Sequence, residues 1–365
     1  MPPNFTVDSQ GQWLAIDWLD QHLNLPAFWL RDNGQGPQTR DEKNGQRLVD
    51  QATFPANLKI KKAEGDQRGL HIIFSDGESW FSWDYLTSLG AKKTAEIELF
   101  YGQDLNRLPI IGYSPYMQDD TALLAWLKDF SKFGFGRIDN GPVNHGDLFR
   151  IIDRFGFVRE TNYGRHFEVR TEPNPTNLAY TGLGLPPHTD NPYRNPVPTL
   201  QLLYCLENSA TGGDSGVVDG FAVANALRDE QPNMFKILSQ TTVSFAYEGQ
   251  SGVHLEASRP LIETDENGEL IAVCYNTRSM QATYPREGLD LAAFSAAYHR
   301  FGQLLNDQKF RVEFRLNPGE CFLLNNTRVL HARRAFQADG HRWLQGAYAD
   351  FDSLYSKMRS LEKLI

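Results

Sequence analysis

Cysteine is scarce: Cys205, Cys274 and Cys321 are the only three in 365 residues. They are odd in number, widely spaced and set in apolar stretches, so no disulfide framework is available and buried free thiols of a reducing compartment are expected. Runs of Lys or Arg are absent, and 36 basic residues against 45 acidic ones leave a net charge of −9, which excludes the electrostatic footprint of a nucleic-acid or anionic-membrane partner. No stretch approaches the ~18 uninterrupted apolar residues of a membrane span. The opening Met1-Pro2-Pro3-Asn4 begins neither a charged nor an apolar leader region, so a cytoplasmic location is expected. Internal repeats and low-complexity tracts are also missing. Aromatic residues, by contrast, make up 12% of the chain, which is ample for both a core and a ring-lined pocket.

Against that plain background stands His188-Thr189-Asp190, followed far downstream by His331 and eleven residues later by Arg342. Two imidazoles and one carboxylate form a facial set of three metal ligands with positions left open, the arrangement that suits non-heme Fe(II) and oxygen chemistry. Arg342 adds an always-charged fork for a carboxylate, here the far end of 2-oxoglutarate chelating the metal. The flanks agree. Thr199 to Leu206 is a continuous apolar, β-prone run, Phe310 to Leu316 alternates, Asn317-Pro318-Gly319 signals a turn, and Cys321 to Leu324 is another short strand before His331. Trp343 to Tyr348 supplies a further strand, with Arg342 at its entry. Antiparallel strands delivering these four residues to one mouth describe a double-stranded β-helix, or jelly roll.

Domain organisation follows from local signals. Residues 1–95 read as a small β-rich domain, with a hairpin at Leu70–Phe74 and Trp80–Trp83 around Ser75-Asp76-Gly77-Glu78. Residues 96–120, rich in proline and glycine, read as a linker. Asp119-Asp120-Thr121 caps a helix whose Leu123, Leu124, Leu127 and Phe130 share one face, ending at Gly134. Residues 121–365 form the catalytic domain, so the fold class is mainly β with flanking helices.

Five further segments carry a family resemblance: Phe28-Trp29-Leu30-Arg31-Asp32-Asn33, Asn177-Leu178-Ala179-Tyr180-Thr181, Gly212-Gly213-Asp214-Ser215, Val329-Leu330-His331-Ala332-Arg333-Arg334 and Gln345-Gly346-Ala347-Tyr348-Ala349-Asp350. Together with His188-Thr189-Asp190 they make nearly the whole chain resemble the γ-butyrobetaine and trimethyllysine hydroxylases. The resemblance implies Fe(II) on His188, Asp190 and His331, dioxygen and 2-oxoglutarate as co-substrates, Arg342 on the 2-oxoglutarate C5 carboxylate, and a homodimer. It also implies that Ser215 bonds that carboxylate, although Gly212 to Gly216 equally reads as turn chemistry. The family holds a trimethylammonium group among ring faces, and the matching positions here are Tyr163, Phe167, Tyr180 and Tyr348, with Phe167 where a Trp is usual. Many relatives carry three cysteines after the position of Asn33, forming a structural zinc site. Gly34, Gly36 and Thr39 stand there instead, so no zinc is expected even though His71 lies near the fourth ligand position. The Arg40 to Gly45 stretch is expected as a solvated loop.

The anion end of the substrate departs most from the family pattern. Asn177 matches a carboxylate-contacting residue, Asn191 stands where relatives often have an aromatic, and Asn276-Thr277-Arg278 replaces paired asparagines; Arg194 lies nearby in sequence. If Arg194 and Arg278 face the pocket, bidentate guanidinium suits a phosphonate; if they are surface or ion-paired residues, it does not. On this reading 2-(trimethylammonio)ethylphosphonate, hydroxylated at C1 in organophosphonate breakdown, is placed narrowly ahead of γ-butyrobetaine, hydroxylated to carnitine. Trimethyllysine ranks behind both. A non-catalytic betaine-binding jelly roll and a zinc hydrolase on the same ligands are the rivals from other classes, and dependence on ferrous iron plus 2-oxoglutarate separates them.

Overall fold

The computed structural model describes residues 2–19, 21–89, 96–170, 181–249, 252–285, 287–337 and 339–365. The chain divides into two compact units, Met1–Thr94 and Ala95–Ile365. In the first, the strands Asn4–Val7, Trp13–Trp18 and Gln21–Pro26 form one antiparallel sheet and Ile60–Gly65, Gly69–Phe74 and Glu78–Ser82 a second. The hairpin expected around Ser75–Glu78 is present, but its last residue, Trp83, opens a helix, because the Ser82 hydroxyl caps it by accepting from Tyr85 N–H. Leu14, Leu30, Leu70, Ile72, Phe81 and Leu86 form the buried core.

Where relatives are expected to bind zinc, Gly34, Thr39 and Ser79 are packed so closely that a Cβ on Gly34 would come within 2.6 Å of Thr39 Oγ1. His71 faces Glu78, Nε2 to Oε2 2.9 Å. Around the turn, Arg47 holds Asp32 at 2.6 Å and Arg40 donates to the Gly34 carbonyl. Hydrogen bonds and packing therefore hold this segment.

The second unit is a two-sheet jelly roll. One sheet runs in the order Ile110–Gly112, Phe135–Asp139, Cys321–Asn325, Leu200–Asn208, Arg342–Ala349, Phe167–Arg170; the other runs Leu185–His188, Val329–Arg333, Ser215–Asp219, Arg311–Phe314. Strand alternation explains the unbroken apolar run at Leu200–Asn208. Leu200, Leu202, Tyr204 and Leu206 pack outward against helices, while Leu203 and Cys205 join Val217, Phe322 and Leu344 between the sheets. The helices Asp120–Phe133 and Phe351–Leu364 cover the larger sheet, and Gly220–Glu230, Pro232–Gln240 and Leu291–Leu305 lie over the smaller. As expected, Asp119 caps the first of these by accepting from Thr121 and Ala122 N–H, and Gly134 ends it at φ +70°, a conformation that glycine adopts freely.

Residues 96–120 correct the linker reading. Ile110–Gly112 is a strand parallel to Phe135–Asp139, Tyr113–Gln118 is a helix, and Phe100, Leu108 and Tyr116 are buried. The fully buried Arg328 fixes this segment: its guanidinium is bidentate to Asp219 at 2.7 and 3.0 Å and donates to the Glu98 and Lys132 carbonyls. Turn-rich composition thus concealed a piece of the core. Cys205, Cys274 and Cys321 are free and buried, and burial pushes the first two thiols up to about 12. Among the described residues, no helix is long and apolar enough to cross a membrane.

Candidate active site

His188 ends its strand directly opposite His331 on the neighbouring one, so the two imidazoles lie side by side with ring centroids 4.1 Å apart. Asp190 follows in a backbone segment clamped from two directions. Its N–H donates to Asn326 Oδ1 and its carbonyl accepts from Asn326 Nδ2, at 2.8 and 2.9 Å, while Thr189 N–H donates to the Tyr275 carbonyl. The carboxylate oxygens then lie 3.5 Å from His188 Nε2 and 3.9 Å from His331 Nε2, and all three candidate ligand atoms fall within 4.8 Å of one another. A Nδ1–H bond from His188 to the Pro186 carbonyl at 2.9 Å leaves its Nε2 lone pair for a metal.

Protonation states agree with ligation. Burial pushes the Asp190 carboxyl up, but His331, His188 and Arg278 outweigh it and hold the group below the usual carboxylate range. Burial, reinforced by His188, lowers His331 to about 3. One anion and a neutral imidazole are what a divalent cation requires. Gln201 Nε2 and Tyr348 OH both donate to Asp190 Oδ2, at 2.7 and 2.9 Å, and fix its orientation. The donor set therefore fits iron.

The trio opens into a cavity of about 430 Å³ that Ser215 and Arg342 also line. Arg342 is buried, its Nε has no partner, and burial pushes its guanidinium down to about 10. Among the described residues no carboxylate pairs with it, and the Phe336 ring lies 5.8 Å from its guanidinium carbon. Gly213 permits that placement, since a Cβ there, at φ +72°, would sit 3.1 Å from Arg342 Nε. A buried, unpaired guanidinium beside a metal trio fits the distal carboxylate of 2-oxoglutarate. Arg333 lines the same cavity, donates to the Thr181 and Leu183 carbonyls, and is pushed down to about 9 by burial and by Arg342 and Arg278. The cavity is thus rich in positive charge.

Aromatic rings line the same cavity. Tyr348, Phe167, Tyr163, Tyr247 and Tyr193 follow one another at centroid separations of 5.2, 6.1, 5.8 and 5.1 Å. Three of these were expected; Tyr180 and Asn177 lie outside the described residues. Tyr193 and Tyr247 went unread because Tyr247 comes from the Val243–Glu248 strand of a hairpin with His254–Arg259, far from any motif, and Tyr193 is one residue in a turn. The same hairpin brings Glu248 to the cavity. Tyr193 OH donates to Asn191 Oδ1 at 2.8 Å and meets Tyr163 OH at 3.1 Å, so the ring wall is tied to Asn191.

The expected anion-end residues separate. Asn191, buried and at φ +55°, lines the cavity with its Nδ2 unpartnered, a donor whose isolation would otherwise cost about 1–3 kcal/mol. Arg278 lines the cavity from an exposed position. Asn276 also lines it, but its amide is committed to the Thr189 carbonyl and Arg278 N–H. Arg194 is not among the lining residues; its Nη2 donates to Asn162 Oδ1.

Comparison with known proteins gives the same picture. A model described as taurine catabolism dioxygenase TauD, TfdA family matches residues 104–348, and a γ-butyrobetaine hydroxylase-like N-terminal model matches residues 5–87. The chain is 32% identical to gamma-butyrobetaine dioxygenase of Pseudomonas sp. (strain AK-1), over 99% of this chain and 97% of that protein. It is 30% identical to gamma-butyrobetaine dioxygenase of Homo sapiens, over 96% and 95%, and 26% identical to mitochondrial trimethyllysine dioxygenase of Gallus gallus, over 96% and 86%. Among solved structures, PvcB, an Fe, alpha-ketoglutarate dependent oxygenase from an isonitrile synthetic pathway, aligns with a TM-score of 0.50 and 16% identity over 71% of this chain and 93% of that one, a likeness of fold alone.

Proposed function

We propose, from the premise that this chain belongs to the γ-butyrobetaine and trimethyllysine hydroxylase family of Fe(II)/2-oxoglutarate dioxygenases, that it hydroxylates γ-butyrobetaine to carnitine. The observation that carries the substrate class is the wall of five rings that lines the same cavity as the His188, Asp190 and His331 trio. A quaternary ammonium donates no hydrogen bonds and is held by ring faces at roughly 0.5–2 kcal/mol. For the anion, the relatives favour the carboxylate over the phosphonate placed first from sequence. The commitment of Arg194 to Asn162 supports the same choice: one guanidinium and the Asn191 amide answer a single negative charge better than a phosphonate bearing up to two.

In this reading His188, Asp190 and His331 hold the iron, and Arg342 with Ser215 orients 2-oxoglutarate. Iron and 2-oxoglutarate together supply the oxidation: dioxygen converts the co-substrate to succinate and carbon dioxide and leaves the oxidising power to replace one C–H by C–OH. The chain contributes orientation. The ring wall holds the ammonium group, and Arg278 with the Asn191 amide holds the anion, so that a single carbon faces the metal, and the apolar Leu203, Phe322 and Leu344 limit water around it.

Succinate release measured with γ-butyrobetaine, trimethyllysine and 2-(trimethylammonio)ethylphosphonate tests this directly. The highest kcat/KM is expected with γ-butyrobetaine; a preference for the phosphonate would restore the earlier ranking. Arg278→Gln is expected to raise KM for γ-butyrobetaine about fivefold, near 1 kcal/mol for an exposed charge, and to weaken the phosphonate more. An unchanged ratio between the two would remove Arg278 from the anion site. Tyr247→Ala is expected to raise KM for every trimethylammonium substrate by about 5- to 30-fold, with no change in the 2-oxoglutarate requirement. Equal affinity in wild type and variant would take Tyr247 out of the cage.

A further inference from the structure

A second cluster of metal-type side chains lies on the reverse face of the strands that build the cavity. Along Phe167–Arg170, Phe167 and Val169 line the cavity, so Glu168 points the other way; along Arg342–Ala349, Arg342 and Leu344 face in, and Trp343 and Gln345 face out. Glu168 stands opposite Gln345 in register. His145, on the loop before the Asp147–Asp153 helix, and His166 complete the group: their Nε2 atoms lie 3.3 and 3.1 Å from Glu168 Oε1, with all three candidate ligand atoms within 4.8 Å of one another.

The surroundings hold these side chains in place. Gln345, with no exposed surface, donates through Nε2 to Glu168 Oε1 at 2.8 Å and accepts through Oε1 from Gly146 N–H at 2.8 Å. One buried amide therefore positions both the carboxylate and the loop that carries His145. Trp343 Nε1 donates to the other Glu168 oxygen, and the Phe149 ring meets His166 edge-on at 5.5 Å. Burial raises the Glu168 carboxyl, but hydrogen bonds from Trp343, Gln345 and His166 outweigh it and keep the group below its ordinary value. Three nitrogens converge on Oε1, while a carboxylate oxygen offers about two lone-pair sites. A cation among the three groups relieves that crowding, since the imidazoles would then present lone pairs to it. Tetrahedral bonds of about 2.0–2.1 Å put neighbouring ligand atoms about 3.3–3.4 Å apart, close to the contacts of 3.3 and 3.1 Å that the two imidazoles make with Glu168 Oε1. His145 is 58% exposed at its side chain, so the site opens to solution.

We propose that His145, His166 and Glu168 form a second, non-catalytic site for a divalent cation of the imidazole-preferring zinc class, bracing the Phe167–Arg170 and Arg342–Ala349 strands from behind. The test is Zn2+ binding by equilibrium dialysis with metal analysis of the full-length protein, using Asp190→Ala to disable the iron site. That variant is expected to retain one Zn2+ per chain and to melt at a higher temperature with Zn2+ than without. Adding His166→Ala should weaken the retained Zn2+ at least about tenfold, the smallest loss seen when even an outer partner of a metal ligand is removed. Should His166→Ala fail to fold, His145→Ala, altering an exposed loop side chain, carries the same expectation. No Zn2+ on Asp190→Ala, or undiminished binding after either histidine is replaced, overturns the proposal.

Discussion

Asp190→Ala, His188→Ala and His331→Ala are each expected to reduce substrate-dependent succinate formation below detection, while leaving the fold intact. The three side chains differ in kind, and so do the reasons. Asp190 is the only anion of the trio, and its loss leaves two neutral imidazoles that cannot offset a divalent charge. It would also strand the Gln201 amide and the Tyr348 hydroxyl that now donate to Oδ2. Loss of either histidine breaks the facial set, and outer-partner changes alone cost metal sites about 10- to 100-fold in affinity. Iron titration by the charge-transfer absorbance of the iron and 2-oxoglutarate complex, alongside succinate assay, reads both consequences. Turnover near wild type in any one variant removes that residue from the iron site.

These candidate ligands were legible because their signal is short-range. His188 and Asp190 are two residues apart, and the strand patterns around them are local properties of Leu200–Asn208 and Val329–Arg333. The opposition of His188 and His331 requires only that two antiparallel strands pair in one register. Assemblies from distant segments were harder to read. Tyr247 reaches the ring wall from a hairpin with no motif, and the His145, His166 and Glu168 cluster joins a loop to a strand through Gln345. Sequence adjacency even misled in one case: Arg194 is four residues from Asp190, yet Asn162, not the cavity, receives its guanidinium. Arg278, much farther along the chain, lines the cavity. Likewise, prolines and glycines in 96–120 signalled a linker, but Arg328 and the buried Phe100 and Tyr116 make that stretch part of the core.

Arg342→Ala should act on the co-substrate and spare the metal. This guanidinium is buried beside Phe336 with Nε unpartnered, so its desolvation cost is already met by the fold and a carboxylate arriving there gains a nearly dry ion pair. Removing one partner of such a pair costs about 3–5 kcal/mol, which predicts a rise of roughly 100- to 1000-fold or more in KM for 2-oxoglutarate. Iron affinity without 2-oxoglutarate should stay within about twofold, because Arg342 makes no contact with the trio. Arg342→Lys keeps charge but loses the planar fork, so it should recover only part of the loss. The neighbouring Arg333 cannot substitute, since its Nη2 is held by the Thr181 and Leu183 carbonyls. A variant with normal 2-oxoglutarate dependence would show that the distal carboxylate is bound elsewhere in the cavity, with Arg278 the cation left to test.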